Sequence, residues 1–205
     1  LNLVSDVTTP GICTQEYVRV RTWNFTDDCG NVSADFVQTI TVQDETDPVI
    51  STVAGSLDAT LECSDASGIA AALALEPSAT DNCDGTPTLN LVSDVTTPGI
   101  CTQEYVRVRT WNFTDDCSNT SLNFVQTITV EDNTAPVIST VAGSLDATLE
   151  CSNTAGIAAA LAQAPAASDN CDGTPTLNLV SDVTTPGICT QEYVRVRTWN
   201  FTDDC

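Results

Sequence analysis

The stretch that decides the fold of this chain is Glu104-Tyr105-Val106-Arg107-Val108-Arg109-Thr110-Trp111-Asn112-Phe113-Thr114-Asp115-Asp116-Cys117. It occurs twice more without a single change, from Glu16 to Cys29 and from Glu192 to Cys205. Side chains of alternating character over residues 104–114 predict a long β-strand, because successive side chains of a strand point to opposite faces. The acidic residues and the cysteine that follow predict a turn.

The two faces of this strand differ in chemistry. One face carries the aromatic residues and both arginines: Tyr105, Arg107, Arg109, Trp111 and Phe113. We expect Trp111 and Phe113 to point into the core, since large aromatic side chains dominate burial. Arg107 and Arg109 would then need acidic partners or aromatic faces. In the alternative, the valine face is buried, and Tyr105, Arg107 and Arg109 form an exposed binding surface.

The chain is a tandem repeat with a period of 88 residues. Three segments are identical, namely residues 1–29, 89–117 and 177–205. A fixed period of this size is typical of an array of small domains. Polar, proline-bearing linkers indicate where each repeat begins and ends. They predict the C-terminal half of a repeat at residues 1–43, a complete repeat at 44–131 and a repeat without its last strand at 132–205. We therefore expect a window of a longer array.

The complete repeat is predicted to be almost all-β. Beside the long strand, strands are predicted over residues 48–53, 57–63, 76–80, 88–93 and 123–130. The alanine-rich residues 68–74 are predicted to form a short helix or a loop crossing. Short strands separated by turn signals in a unit of 88 residues favour an Ig-like β-sandwich, so the whole chain should be an elongated filament of such repeats.

Composition limits the partners and the compartment. The chain has 28 acidic residues, six basic ones and a net charge of −22, so it should repel nucleic acid and anionic membranes. It contains no apolar run of 18 residues, so no transmembrane span is expected. Ten cysteines without any histidine exclude a Cys/His zinc site. Structural disulfides in an oxidising compartment outside the cytoplasm explain them best.

Four cysteines in each repeat allow three pairings. A strand over residues 104–114 spans about 33 Å, whereas a disulfide needs Cα atoms within about 7 Å, so Cys101 should not bond to Cys117. In an Ig-like sandwich, Cys83 and Cys117 should lie at one end, and Cys63 and Cys101 at the other. The predicted pairs are Cys63–Cys101, Cys83–Cys117, Cys151–Cys189 and Cys171–Cys205. A bridge between repeats, from Cys101 to Cys151, stays open as the alternative.

Acidic residues gather in the linker and in two predicted turns: Asp44, Asp47, Asp81, Asp84, Asp115 and Asp116. Carboxylates that converge with backbone carbonyls form a hard oxygen site, which suits Ca²⁺. The competing interpretation is that Asp and Asn simply form good turns in water. Ala135 replaces Asp47 in the next linker, which weakens a site that depends on Asp47. No other cofactor is expected.

The sequence shows no catalytic constellation. Without histidine there is no Ser/His/Asp set, and no glycine-rich phosphate loop is present. Asp115 and Asp116 are adjacent, and adjacent side chains of a strand point to opposite faces, so they do not readily flank one glycosidic bond. We therefore expect a protein that is not an enzyme.

Several motifs of the repeat resemble a known family. They are Asp81-Asn82-Cys83, Arg109-Thr110-Trp111, Thr114-Asp115-Asp116-Cys117, Gln126-Thr127-Ile128-Thr129-Val130 and Asp132-Asn133-Thr134-Ala135-Pro136-Val137-Ile138. Together they are similar to the HYR-like, Ig-related repeats of giant secreted surface proteins of Bacteroidetes, above all the SprB-type gliding-motility adhesins.

The resemblance implies an Ig-like fold, export to an outer-membrane-associated cell surface, and a long filament that motility-machinery proteins move. It brings no catalytic residues. The first hypothesis is therefore a mechanical stalk whose partners are neighbouring repeats of the same chain. The second is a multivalent module that binds surface polysaccharide or another surface by avidity, through Tyr105, Arg107 and Arg109.

Overall fold

The computed structural model describes all residues 1–205 and consists mainly of β-strands. The first copy contains β1 (Asn2–Pro10), β2 (Tyr17–Asn24) and β3 (Phe36–Val42). The central repeat contains β4 (Val49–Ile50), β5 (Ala59–Glu62), α1 (Ala66–Leu73), β6 (Ala79–Thr80), β7 (Thr88–Pro98), β8 (Tyr105–Thr114) and β9 (Phe124–Glu131). The third contains β10 (Val137–Ile138), α2 (Thr154–Ala162), β11 (Ala167–Ser168), β12 (Thr176–Pro186) and β13 (Tyr193–Thr202).

The strands form several small sheets, which fits the predicted all-β, Ig-like fold. A four-stranded sheet has the order β5-β9-β8-β7, so the long strand β8 lies inside it, and a three-stranded sheet has the order β1-β2-β3. The pairs β4-β6, β10-β11 and β12-β13 complete the set. Strand β5 joins β9 in parallel, with Ala59 opposite Ile128. The alanine-rich segment, for which helix and loop were both open, forms α1.

The long strand β8 buries its aromatic face, as predicted. Trp111 is 1% exposed and Phe113 is 4% exposed. The Trp111 ring lies 6.3 Å from that of Phe124, which is itself 4% exposed. Full burial of one such side chain contributes roughly 1.5–3 kcal/mol. The alternative with the valine face inside is therefore wrong.

Burial of the aromatic face also determines the surroundings of Arg109. Its guanidinium carbon lies 4.4 Å above the Trp111 ring, and Nε lies 3.8 Å from a carboxylate oxygen of Asp94. Nη1 donates hydrogen bonds to the Leu75 carbonyl at 3.4 Å and to Oε1 of Gln126 at 3.3 Å. Arg109 therefore has both of the predicted kinds of partner, an acidic residue and an aromatic ring.

Contacts divide the chain into two compact units that do not coincide with the sequence repeats. The first unit comprises residues 1–58, 74–95 and 108–127, and the second comprises residues 59–73, 96–107 and 128–205. Each unit therefore combines segments of successive repeats. The boundaries inferred from the linkers, at residues 1–43, 44–131 and 132–205, remain a prediction about the repeat.

Each unit has its own core. In the first unit it is built around Trp111, Phe113 and Phe124, which all lie within residues 108–127. In the second unit, α1 packs against β5 and β9 through Ala72, Ile128 and Val130, with Leu61, Ile69 and Tyr105 around them. None of the helices is long and apolar enough to cross a membrane.

Candidate functional site

A tight loop connects β1 to β2 and is repeated between β7 and β8. In the first copy, the Gly11 amide donates to the Glu16 carbonyl at 2.8 Å, and the Glu16 amide donates to the Cys13 carbonyl at 3.2 Å. A Cβ atom on Gly11 would lie only 2.3 Å from Cβ of Glu16, so the loop needs glycine there. The same amide-to-carbonyl bond recurs from Gly99 to Glu104 at 2.8 Å. The loop thus presents Cys13 and its neighbours in a closed, defined shape.

This loop docks onto a turn of the following repeat. Both the amide and the hydroxyl of Thr14 donate to Oδ2 of Asp116, at 2.9 and 2.5 Å. Nε2 of Gln15 donates to the Cys83 carbonyl at 2.5 Å. A disulfide joins Cys13 to Cys117, with the two Cα atoms 5.0 Å apart. The loop is therefore held by one covalent bond and three hydrogen bonds, two of them to a charged acceptor.

The same contacts recur one period later. Thr102 donates to Oδ2 of Asp204 from its amide at 3.0 Å and from its hydroxyl at 2.6 Å. Gln103 donates to the Cys171 carbonyl at 2.9 Å. A disulfide joins Cys101 to Cys205 across 104 residues of sequence, more than one repeat. We call this loop-on-turn contact the joint; because it forms twice, it is a property of the repeat.

A third disulfide also links successive repeats. Cys63, which directly follows β5, is bonded to Cys171, with Cα atoms 5.9 Å apart and a sequence separation of 108. Nδ2 of Asn170 donates to Oε1 of Glu62 and to the Ser64 hydroxyl, both at 3.0 Å. Hydrogen bonds from Thr134 first, and then from Asn170, lower the pKa of Glu62. Charged Glu62 therefore holds both segments next to the bridge.

The predicted disulfides must be corrected. The structure contains none of the four predicted pairs, Cys63–Cys101, Cys83–Cys117, Cys151–Cys189 and Cys171–Cys205, and leaves Cys29, Cys83, Cys151 and Cys189 as free thiols. The prediction assigned both partners to one sandwich, whereas the loop before each long strand reaches the next repeat. Cys101 and Cys117 are not bonded to each other, as the length of β8 demands. The alternative bridge from Cys101 to Cys151 is also absent.

Three of the six predicted acidic ligands come together beside the first joint. One carboxylate oxygen from each of Asp44, Asp81 and Asp115 lies within 4.8 Å of the others. Asp44 and Asp115 are both only 6% exposed. We call this group the first acidic cluster. The linker contributes Asp44, and the turns that precede β7 and follow β8 contribute Asp81 and Asp115.

Local hydrogen bonds position these carboxylates. Oδ1 of Asp81 accepts the amides of Cys83 and Asp84, both at 2.8 Å, and those bonds lower the pKa of Asp81. Both oxygens of Asp115 accept hydrogen bonds from Asn119, at 2.8 Å each. Nδ2 of Asn119 also donates to the Asp44 carbonyl at 3.1 Å, which ties the linker to the turn.

The other three predicted ligands lie outside the cluster. Asp47 is exposed. Asp84 accepts the amide of Thr86 through Oδ1 at 2.9 Å, which is a turn contact. Asp116 accepts the hydrogen bonds from Thr14 in the joint. The bond from the Thr14 hydroxyl is the main reason that the pKa of Asp116 is lowered. Asp84 therefore acts as a turn former, which was the competing interpretation of the acidic residues.

A second acidic cluster, equivalent to the first, consists of Asp132, Asp169 and Asp203, again with one oxygen each within 4.8 Å. A hydrogen bond from the Thr134 amide acts to lower the pKa of Asp132. Burial and the charges of Asp169, Asp203 and Glu62 outweigh that bond, so the pKa is raised overall. In the first cluster, burial and then the carboxylates of Asp44 and Asp81 raise the pKa of the Cys83 thiol. Both clusters thus concentrate negative charge.

The alternative binding surface on the long strand does not form as an exposed face. Tyr105 packs against the core of the second unit, and Arg107 is half-buried. The Arg109 side chain is 11% exposed and carries the contacts described above.

Sequence reasoning missed the joint residues Thr14 and Gln15, and also the buried Gln126. The loop sequence Gly-Ile-Cys-Thr-Gln-Glu, repeated unchanged in all three copies, was the available signal. Gln126 is 0% exposed, and its Nε2 donates to the Leu57 carbonyl at 2.8 Å. Nothing in the sequence pattern distinguishes this glutamine from an exposed one in an alternating strand.

Comparison with known families gives one match. Residues 51–130 match the family model of the HYR-like domain with four cysteines. The match supports the HYR-like family for this segment, and HYR-like domains are extracellular modules of the adhesion type. Neither the curated proteins nor the solved structures contain a match to the chain. The family agrees with a structural or adhesive role at a cell surface and suggests a protein without enzymatic activity.

Proposed function

We propose that this chain is a load-bearing stretch of stalk in an extracellular adhesin filament, exported to the cell surface and anchored at an outer membrane. Its task there is attachment to surfaces or gliding motility. The observation that carries the proposal is that all three disulfides join successive repeats. Such bridges are stable only in an oxidising compartment.

The disulfides interlock. The loops that they close run from Cys13 to Cys117, from Cys63 to Cys171 and from Cys101 to Cys205, and each overlaps the next. Pulling on the two ends of the chain therefore cannot unravel one repeat after another. The shortest covalent path from end to end crosses from Cys13 to Cys117, returns along the backbone to Cys101 and crosses to Cys205.

This path sets a limit on extension. It contains only about 28 residues of backbone, which reach about 100 Å at roughly 3.3–3.6 Å per residue, whereas the whole unbridged chain reaches about 700 Å. Chain-entropy arguments assign each bridge about 3–5 kcal/mol for loops of this length. The bridges would thus act mechanically by limiting length and thermodynamically by restricting the unfolded chain.

The negative charge of the chain supports the same role. With a net charge of −22, neighbouring filaments repel one another, which opposes lateral aggregation at exposed strand edges. The partners proposed for the stalk are the neighbouring repeats of the chain, with motility-machinery proteins and surface polysaccharide as contacts of the complete filament. The Cys83 amide makes the same hydrogen bond to Asp81 that the Cys171 amide makes to Asp169 one period later, so Cys83 would offer a further repeat an equivalent bridging position.

Single-molecule stretching tests the proposal. The oxidised chain should extend to about 100 Å and no further, and reductant should increase the limit roughly sevenfold, as the path lengths above dictate. The variant Cys13→Ser/Cys101→Ser keeps only the Cys63–Cys171 bridge, so even without reductant it should extend to about 330 Å, the reach of the roughly 97 residues on its shortest covalent path.

The matched control is Cys29→Ser/Cys189→Ser, which removes two cysteines that are free thiols in this structure and should keep the short limit. Equal extension of the oxidised and reduced wild-type chain would overturn the load-bearing role of the bridges.

A further inference from the structure

Beside the first joint lies a buried acidic side chain, that of Asp44. It is 6% exposed, and its Oδ2 atom has no hydrogen-bond partner. Oδ2 of Asp81 is likewise buried and without a hydrogen-bond partner. Both residues belong to the first acidic cluster, where their carboxylates face that of Asp115. A buried carboxylate oxygen without a donor carries a desolvation cost that the protein alone does not offset.

No basic side chain compensates this charge. The six basic residues of the chain are all arginines, placed in pairs on β2, β8 and β13. Arg19, Arg109 and Arg195 form ion pairs with acidic residues of the neighbouring strands, namely Asp6, Asp94 and Asp182. The chain contains neither lysine nor histidine. Three carboxylates packed this closely repel one another strongly unless protons or a cation neutralise them.

The geometry points to a divalent cation site. We propose that Asp44, Asp81 and Asp115 together bind Ca²⁺, with Asp132, Asp169 and Asp203 forming a second site one period later. Carboxylate oxygens are the ligands that Ca²⁺ prefers, at about 2.3–2.6 Å, so oxygens around one ion lie up to about 5 Å apart. In each cluster the three oxygens lie within 4.8 Å of one another, which fits that arrangement.

Two carboxylate oxygens of the first acidic cluster have no hydrogen-bond partner and are available to bind an ion. In the first cluster, Oδ1 of Asp81 is occupied by the amides of Cys83 and Asp84, and Oδ1 of Asp44 accepts the Thr46 amide at 3.2 Å. These bonds fix the side chains and leave Oδ2 of both residues for the ion. Three carboxylates with one or two oxygens each and a few waters complete the six to eight ligands of Ca²⁺.

The second acidic cluster repeats this pattern independently. Oδ2 of Asp132 and Oδ2 of Asp169 are again buried without hydrogen-bond partners. Oδ1 of Asp169 again accepts two amides, those of Cys171 at 2.8 Å and Asp172 at 2.9 Å. Asp47 has become Ala135 in this copy, yet the cluster persists. Asp47 is therefore not part of the proposed ligand set.

A bound ion would stiffen the joint. It would connect the linker residue Asp44 to the turn that carries Asp115, two residues before the bridged Cys117. The cation and the disulfide would then hold the same turn from two sides. The site does not depend on the role proposed for the filament, since a stalk with these bridges would work without it and the site could exist in a protein of another function.

Equilibrium dialysis with radioactive Ca²⁺, in about 150 mM NaCl and excess Mg²⁺ to suppress diffuse counterions, tests the site. The wild-type chain should bind two ions, one for each cluster. Asp81→Asn should bind one, and Asp81→Asn/Asp169→Asn should bind none. Asparagine keeps the oxygen that accepts the backbone amides, so these variants should retain the turn. Asp47→Ala is the matched control with the same change of charge, and it should still bind two.

Thermal melting provides a second readout that does not depend on counting ions. Ca²⁺ should raise the melting temperature of the wild type and of Asp47→Ala and leave that of the double variant unchanged, because a ligand stabilises the state that binds it. Should Asp81→Asn not fold, Asp44→Asn tests the same cluster at the linker. No bound ion in the wild type, or two ions in the folded double variant, would overturn the proposal.

Discussion

The first and the central copies of the long strand have the same sequence but different surroundings. Phe113 is 4% exposed, whereas its counterpart Phe25 is 59% exposed. Phe124 on the neighbouring strand is 4% exposed, and its counterpart Phe36 is 66% exposed. Both copies lie in sheets with a strand on either side. Strand pairing alone therefore does not bury the aromatic face.

The difference arises from the segment that covers the central copy. Residues 51–58 and 74–80 belong to the same unit as Trp111 and Phe113. The Leu57 carbonyl accepts a hydrogen bond from Gln126, and the Leu75 carbonyl accepts one from Arg109. Among residues 1–205 the first copy has no counterpart of this segment. The third copy has one, but no counterpart of β9 falls within residues 1–205, and Trp199 is only half-buried. The core requires the covering segment and the third strand together.

The largest expected difference in stability is between variants that truncate Phe113 and variants that truncate Phe25. Phe113→Ala should cost about 3–5 kcal/mol of unfolding free energy, as is typical when a large aromatic side chain is removed from a core. Phe25→Ala, with the same local sequence, should cost less than about 1 kcal/mol because that ring is already exposed. Urea denaturation of the two variants measures the difference. Equal losses would mean that the covering segment does not create the core.

A smaller effect should separate Gln126 from Gln38, which occupies the equivalent position on β3 and is exposed. Gln126→Ala removes the acceptor for Arg109 and the donor to the Leu57 carbonyl, so about 1–3 kcal/mol should be lost. Gln38→Ala should change stability by less than about 0.5 kcal/mol. The same denaturation experiment applies, and a costly Gln38→Ala would contradict the assignment of Gln126 to the covered core.

The smallest effect concerns the joint. Thr102→Val removes the hydroxyl donor to Asp204 and keeps the side-chain shape, so about 1 kcal/mol should be lost. Thr190 occupies the same loop position in the third copy, where it is exposed and makes no side-chain hydrogen bond. Thr190→Val should be neutral. Hydrogen exchange at the Thr102 amide, which also donates to Asp204, should accelerate in the first variant only.

Much of the fold was predictable because its signals are local. The alternation of side chains along residues 104–114 identified the long strand and the face that carries Trp111 and Phe113. Turn chemistry located the acidic residues of both clusters, and three of the six were correctly expected to converge. The cysteine count correctly indicated disulfides. Their pairing was missed, because Cys83 and Cys171 have the same local sequence but only Cys171 is bonded in this chain.

The amino-acid sequence by itself determined the 88-residue period, the strands, which side chains share the aromatic face of the long strand, and the chemistry of the turns. Backbone geometry within one strand or turn is enough to specify these. Only the tertiary structure decided which repeat supplies the partner of each cysteine and which carboxylates meet. The disulfides join residues more than one repeat apart in sequence, and the carboxylates of each cluster come from separate segments of one repeat, so local backbone geometry specifies neither set of partners. The long strand is thus specified locally, and its neighbours determine whether it forms a core.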